Sequence, residues 1–229
     1  MLKNYLTMKV SLSPFQTMLS FVAITVLLTG CVEKEVPKTR KSSPPASSLR
    51  ASFQGPEIGS VKLSDVNHSE FVAALEHLED HNIRYNPSYV QLSFPDGDVP
   101  AHTGVCIDVV LRAFMQVGVS LQQEVHMFRK QCGLNLDHNI DHRRVRNVGP
   151  YLASKGLEID ADGLADGDFE AGDIIWWKLS WPHGLDHIGI VMPNGKVLHN
   201  IGHGQCSDAL PNQYNVHRVY RLPAVGDAP

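Results

Sequence analysis

Apolar positions along the chain follow a helical spacing in the first part and a strand-like pattern later. From Ser64 to about Asn82, Phe71, Leu75 and Leu78 fall on one helical face, and Ser64 or Asp65 is placed to cap it. Residues 86–100, "NPSYVQLSFPDGDVP", carry turn residues and read as a loop. In "GVCIDVVLRAFMQVG" (104–118), Val105, Val109, Ala113 and Val117 recur every four residues. Val110 and Phe114 widen that stripe and Gly118 ends it, so the spacing predicts a buried helix starting near Cys106. A long loop is expected next, through "CGLNLDHNIDHRRVRN" (132–147). A short helix then runs from about Val148 to Lys155, with Asn147 as cap, Gly156 as stop and Pro150 tolerated in its first turn. Beyond it, "DIIWWKL" (173–179), "HIGIVM" (187–192), "KVLHN" (196–200) and "VHRVYRL" (216–222) are rich in β-branched and aromatic residues and read as strands. "PNGK" between the second and third is a hairpin signal. Helices first and an antiparallel sheet second predict an α+β fold, with the N-terminal helices packed on the C-terminal sheet.

The N-terminus reads differently. Lys3 and Lys9 precede the apolar run "MLSFVAITVLL", which ends in "LTGC" (28–31), a secretory pattern too short for a comfortable membrane span. Its ending resembles a bacterial lipoprotein signal. That resemblance implies a signal peptide over 1–30, a lipid on Cys31 and, with Val32 next, the Gram-negative outer membrane facing the periplasm. Residues 31–60, rich in Ser, Pro and charge, are expected to be a flexible tether. The folded domain is expected over 61–223, followed by a short tail at 224–229.

With 229 residues, 43% hydrophobic and 19% charged, the chain can bury one domain core, and a monomer is expected. A net charge of -4 without a basic stripe argues against a nucleic-acid partner. The 12 histidines favour acid/base or metal chemistry. Of the four cysteines, Cys31 takes the lipid, and an odd three remain in an oxidising compartment. One division is a Cys132–Cys206 disulfide with Cys106 as a free thiol; the alternative leaves all three reduced.

Position gives Cys106 its interest. A helix N-terminus exposes unpaired N–H groups and partial positive charge, and both favour a thiolate. The competing reading is a small buried core residue. A nucleophilic cysteine needs a base, and the base needs an orienting partner. "LDHIGIVMPNGKVLHN" offers His187 at the start of one strand and His199 and Asn200 at the end of the next. Register chooses between them. A two-residue turn at Asn194-Gly195 puts Asn200 on the face of His187, whereas a three-residue loop, Pro193–Gly195, puts His199 there. Proline cannot donate a ladder hydrogen bond, which favours the longer loop and His199, with Asn200 second.

"GVCIDVVLRAFMQVGVSL", "EAGDIIWWKL" and "DHIGIVMPNGKVLHN" resemble the blocks of NlpC-type cell-wall cysteine peptidases, which are papain-like. More closely, "GVCIDVV", "NIDHRRV" and "HNIG" resemble a bacterial family of unknown function, DUF1287, over roughly residues 70–222. The resemblance implies a papain-like fold and a thiol hydrolase cleaving an amide in peptidoglycan stem peptides or another peptide. Cys106 would be the nucleophile, His187 the base and His199 or Asn200 its orienter, with Tyr85 or Tyr89 near the oxyanion. No cofactor and no metal are expected. The peptidases' Asp-Cys-Ser-Gly is here Val105-Cys106-Ile107-Asp108, which alters the pocket, with Asp108 beside the nucleophile. His142 and Arg143 (or Arg144) are substrate-binding candidates, with an arginine gripping a carboxylate bidentately; the other reading is a salt-bridged loop that braces the site. Trp176, Trp177 and Trp181 either line a groove or belong to the core, with Trp177 the substrate-binding candidate. Two rival functions stand beside the hydrolase. One is a non-catalytic lipoprotein that binds cell-wall material. The other is a zinc hydrolase built from His138, His142 and His187, weakened by the missing HExxH glutamate.

Overall fold

The protein is described by a computed structural model that covers residues 56–224 apart from 80–81, 163, 165–167, 180–183 and 210–214. Cys31, Trp181, the signal and tether expected before Pro56, and most of the expected tail lie outside the described residues.

After a short 3-10 turn at Leu63–Asp65, helix α1 spans His68–Leu75. Its cap is Asn67, whose side chain accepts from the Glu70 N–H at 3.0 Å, rather than Ser64 or Asp65. Two short parallel strands follow, β1 (Arg84–Tyr85) and β2 (Thr103–Gly104). Helix α2 spans Cys106–Gln116 and closes at Gly118, whose φ of +78° suits glycine alone. Helix α3, Leu121–Gln131, occupies the start of the stretch expected to be loop. Ser120 caps it by accepting from the Gln123 N–H, and Leu121 and Val125 are buried with Phe128 packed against the same core. Helix α4 spans Val145–Ser154, starting earlier than expected, because Asn147 bonds back to the Asp141 carbonyl instead of capping.

The remaining strands are β3 (Glu158–Ile159), β4 (Ile174–Lys178), β5 (Asp186–Val191), β6 (Val197–Ile201), β7 (Gly204–Asp208) and β8 (Asn215–Tyr220). They form one antiparallel sheet in the order β3-β8-β4-β5-β6-β7. The expected α+β arrangement is therefore present, with β3 and β7 added to the anticipated strands. Alternation along the strands divides the apolar residues between two faces. Ile174, Trp176, Ile188, Ile190, Leu198 and Tyr220 join the helices in the main core. Ile175, Trp177, Val191, Val197 and Val219 form a second cluster on the opposite face. Gly149 lets α4 lie flat on Trp176, because a Cβ there would sit 2.5 Å from the indole ring. Among the described residues, no helix is long and apolar enough to cross a membrane.

Candidate active site

Strand β2 delivers the chain directly to the start of α2, so Cys106 is the first helical residue. The turn is pinned by Asp108. Its carboxylate accepts from the Val105 N–H at 2.6 Å, closing the N-terminal turn, and takes Arg143 bidentately at 2.9 and 2.8 Å. Both side chains are only 2% exposed. Asp108 and Arg143 are thus committed to each other, and the structure makes them a brace for the turn that carries Cys106 instead of a substrate clamp. His142 is buried beside them, and neither of its ring nitrogens has a hydrogen-bond partner among the described residues. Burial pushes its pKa down to about 4, so it is a neutral imidazole.

The β5–β6 register settles the hairpin. Gly189 pairs with His199, and Met192 meets Lys196 across a Pro193–Gly195 loop. His187 and His199 therefore share a face, and their rings meet at 2.8 Å, Nε2 to Nδ1. Asn200 falls on the other face; its amide is buried with neither polar atom bonded among the described residues, which removes it as the orienting group. Trp177 is fully buried and stacks on His187, with centroids 5.7 Å apart and planes 27° from parallel. It walls the imidazole rather than lining a groove.

The ladder pairs stop at Gly189/His199, and the N–H of the next residue, Ile188, points at the Cys106 sulfur. The sulfur thus meets β5 directly beside His187 in the chain. Tyr85 pairs with Gly104; burial raises its hydroxyl pKa, and the charges of Cys106 and Asp108 raise it further. Tyr89 instead reaches Asp137 and Asn139, which leaves Tyr85 as the tyrosine at the site.

Strand β7 adds a member that sequence reading did not supply. Asp208 Oδ2 lies 3.2 Å from His199 Nε2, completing a chain from His187 through His199 to a carboxylate. The bond from the Cys206 thiol, and after it that from His199, holds the Asp208 carboxyl below the ordinary range, so it is ionised and only accepts. This fixes the protons. His199 donates from Nε2 to Asp208, and its Nδ1 accepts from the Nε2–H of His187. The lone pair of His187 then resides on Nδ1.

The charge state departs from the expectation of a depressed thiol. Burial pushes Cys106 up to about 12, and the nearby Asp108 carboxylate adds to it; the N–H groups of Ile188, Ile107 and Cys106 itself oppose this without prevailing. Burial pushes His187 down to about 3, helped by His199. At rest Cys106 is a neutral thiol and His187 a neutral imidazole, because desolvation outweighs the helix terminus.

The expected disulfide is absent: Cys106, Cys132 and Cys206 are all free. Cys132 caps α3 at an exposed position, while Cys206 on β7 turns its sulfur to His199, His203 and Asp208. Nor do His138 and His142 join His187 as metal ligands. Among the described residues, the set whose ligand atoms converge, all within 4.8 Å, is His199, Cys206 and Asp208.

Fold and site together define a mixed α and β protein: a buried cysteine opens a helix against a six-stranded antiparallel sheet that carries a His–His–Asp chain. The chain belongs to the family described as domain of unknown function (DUF1287), which it matches over residues 72–222. It is similar to a protein of Escherichia coli (strain K12) named "Uncharacterized protein YijF", 40% identical over 144 residues, a match covering 56% of this chain and 69% of the relative.

Proposed function

We propose that this chain is a thiol-dependent amide hydrolase of papain-like, NlpC type, anchored in the Gram-negative envelope by a lipid on Cys31 and acting on peptidoglycan stem peptides. The observation that carries the reading is the His187–His199–Asp208 chain, built on strands whose first N–H past the ladder faces the Cys106 sulfur. In this mechanism, His187 Nδ1 takes the thiol proton as sulfur attacks the substrate carbonyl carbon. His199 and Asp208 hold the imidazole and stabilise the cation that forms on it. N–H groups at the start of α2 and the Tyr85 hydroxyl serve the oxyanion. His187 then returns the proton to the leaving amine, and water hydrolyses the thioester. Because the resting pair is neutral, proton transfer accompanies attack and no ion pair is stored in advance.

A second reading is favoured by the burial of the thiol: a non-catalytic envelope protein that binds wall material. Digestion of purified peptidoglycan by the full chain separates the two. Wild type should release stem-peptide fragments with new termini, and Cys106→Ala none. Release by both, or by neither, would eliminate the hydrolase.

A further inference from the structure

Three ligand atoms at the outer end of the His–His–Asp chain form a triangle. His199 Nε2 lies 3.2 Å from Asp208 Oδ2 and 3.6 Å from Cys206 Sγ, and Sγ lies 3.4 Å from Oδ2. Zinc bonds of about 2.0 Å to nitrogen or oxygen and about 2.3 Å to sulfur, arranged tetrahedrally, separate neighbouring ligands by roughly 3.3–3.8 Å. The triangle therefore has the size of one face of a zinc tetrahedron. His203, exposed on the β6–β7 turn, brings its Nε2 to 3.4 Å from the same sulfur; it lies outside the converging set, and rotation of its exposed ring would carry it to the fourth corner. A nitrogen, oxygen and thiolate set of this kind matches a divalent zinc-class cation, and the two anionic ligands would neutralise its charge.

We propose that His199, Cys206 and Asp208, completed by His203, bind a zinc-class divalent cation, and that its occupancy turns off the thiol site. The second half rests on the hydrolase reading above. Binding releases the Cys206 thiol proton to solvent; the His199 Nε2 proton also leaves, so that its Nε2 lone pair goes to the metal, and the His187 Nε2 proton passes to His199 Nδ1. A neutral, metal-bound His199 carries its proton on Nδ1 and donates to His187 Nε2, the reverse of the metal-free arrangement. His187 takes up one proton from solvent at Nδ1, so the two rings hold two protons before and after, and it has no lone pair there for the Cys106 thiol. The exposed cluster thus sets the state of the base one ring further in.

The test uses reduced, metal-stripped full chain titrated with cobalt(II), then zinc(II). One equivalent of cobalt should give a tetrahedral visible spectrum and a thiolate charge-transfer band, both removed by zinc. Cys206→Ser should lose the charge-transfer band. His203→Ala and Asp208→Asn should each weaken binding at least tenfold. Cys106→Ala should leave the spectrum unchanged, so this arm reads the metal site independently of any hydrolysis. A spectrum without the thiolate band, or one unaffected by Cys206→Ser, overturns the site. With fragment release as readout, one equivalent of zinc should suppress the wild-type rate at least tenfold and change the Cys206→Ser rate less than twofold. Equal sensitivity of the two chains overturns the switch. A metal-free wild type that releases nothing sinks the hydrolase reading while the cobalt arm still decides the site.

Discussion

Removing either half of the Asp108–Arg143 pair tests what positions Cys106. Both side chains are 2% exposed, so neither charge regains hydration when its partner is lost. Arg143→Met strands a buried carboxylate and should cost about 3–5 kcal/mol of stability. Asp108→Ala strands the guanidinium and also deletes the acceptor for the Val105 N–H, adding about 1 kcal/mol as lost helix caps do. At roughly 2–4 °C per kcal/mol for a domain of this size, Arg143→Met should lower Tm by about 6–20 °C, and Asp108→Ala by a few degrees more. The double change to Asp108→Leu with Arg143→Met replaces the ions by apolar groups and should recover most of the loss, because a buried pair is worth little net of desolvation. Urea unfolding of the wild type, Asp108→Leu, Arg143→Met and the double variant gives the cycle directly. Single variants costing under about 1 kcal/mol, or a double variant costing the sum of the singles, would refute the brace.

The raised Cys106 pKa predicts a slow thiol. At pH 7 its thiolate fraction is roughly three-thousandfold below that of an ordinary cysteine with pKa near 8.5. Alkylation by iodoacetamide, followed by mass spectrometry with exposed Cys132 as internal reference, should modify Cys106 at least a hundredfold more slowly. Comparable rates at pH 7 would show that burial does not control the sulfur. In acid, the unfolded chain protonates its histidines near 6.5, whereas buried His187 and His142 resist until about 3 and about 4. Between those limits the unfolded state binds more protons, so stability falls as pH drops below 6.5, by roughly 4 kcal/mol at pH 5 for the two together. Urea midpoints from pH 7.5 to 5 measure this, and a flat profile would contradict the burial of both rings as neutral groups.

The sequence was most informative where periodicity and backbone chemistry agreed. The stripe from Val105 to Val117 and the stop at Gly118 locate α2 and put Cys106 at its start. Proline's missing donor favours the hairpin loop that the structure adopts, and with it the face shared by His187 and His199. Helix α3 was obscured because Gln122, Gln123, His126 and Arg129 dilute its apolar face, although Ser120 followed by Gln123 carries a capping pattern. Strand β7, "GQCSD", has no β-branched or aromatic residue and is specified by its pairing with β6, so Asp208 and its place beside His199 were not visible. Spacing also leaves desolvation out. A cysteine opening a helix looks activated, but only the packing around it reveals that water is excluded and the proton retained.

The entry of the chain into the fold has a mechanical consequence. The N–H groups of Gly59 and Val61 both bond to the carbonyl of Gly118, so the incoming backbone is fastened just past the C-terminal end of α2. Cys106 sits at the opposite end of that rod, which is about 16 Å long for its 11 residues. A pull on the backbone entering at Gly59 would first load the Gly118 clasp, at the end of α2 away from the Cys106 sulfur, and leave that sulfur undisturbed.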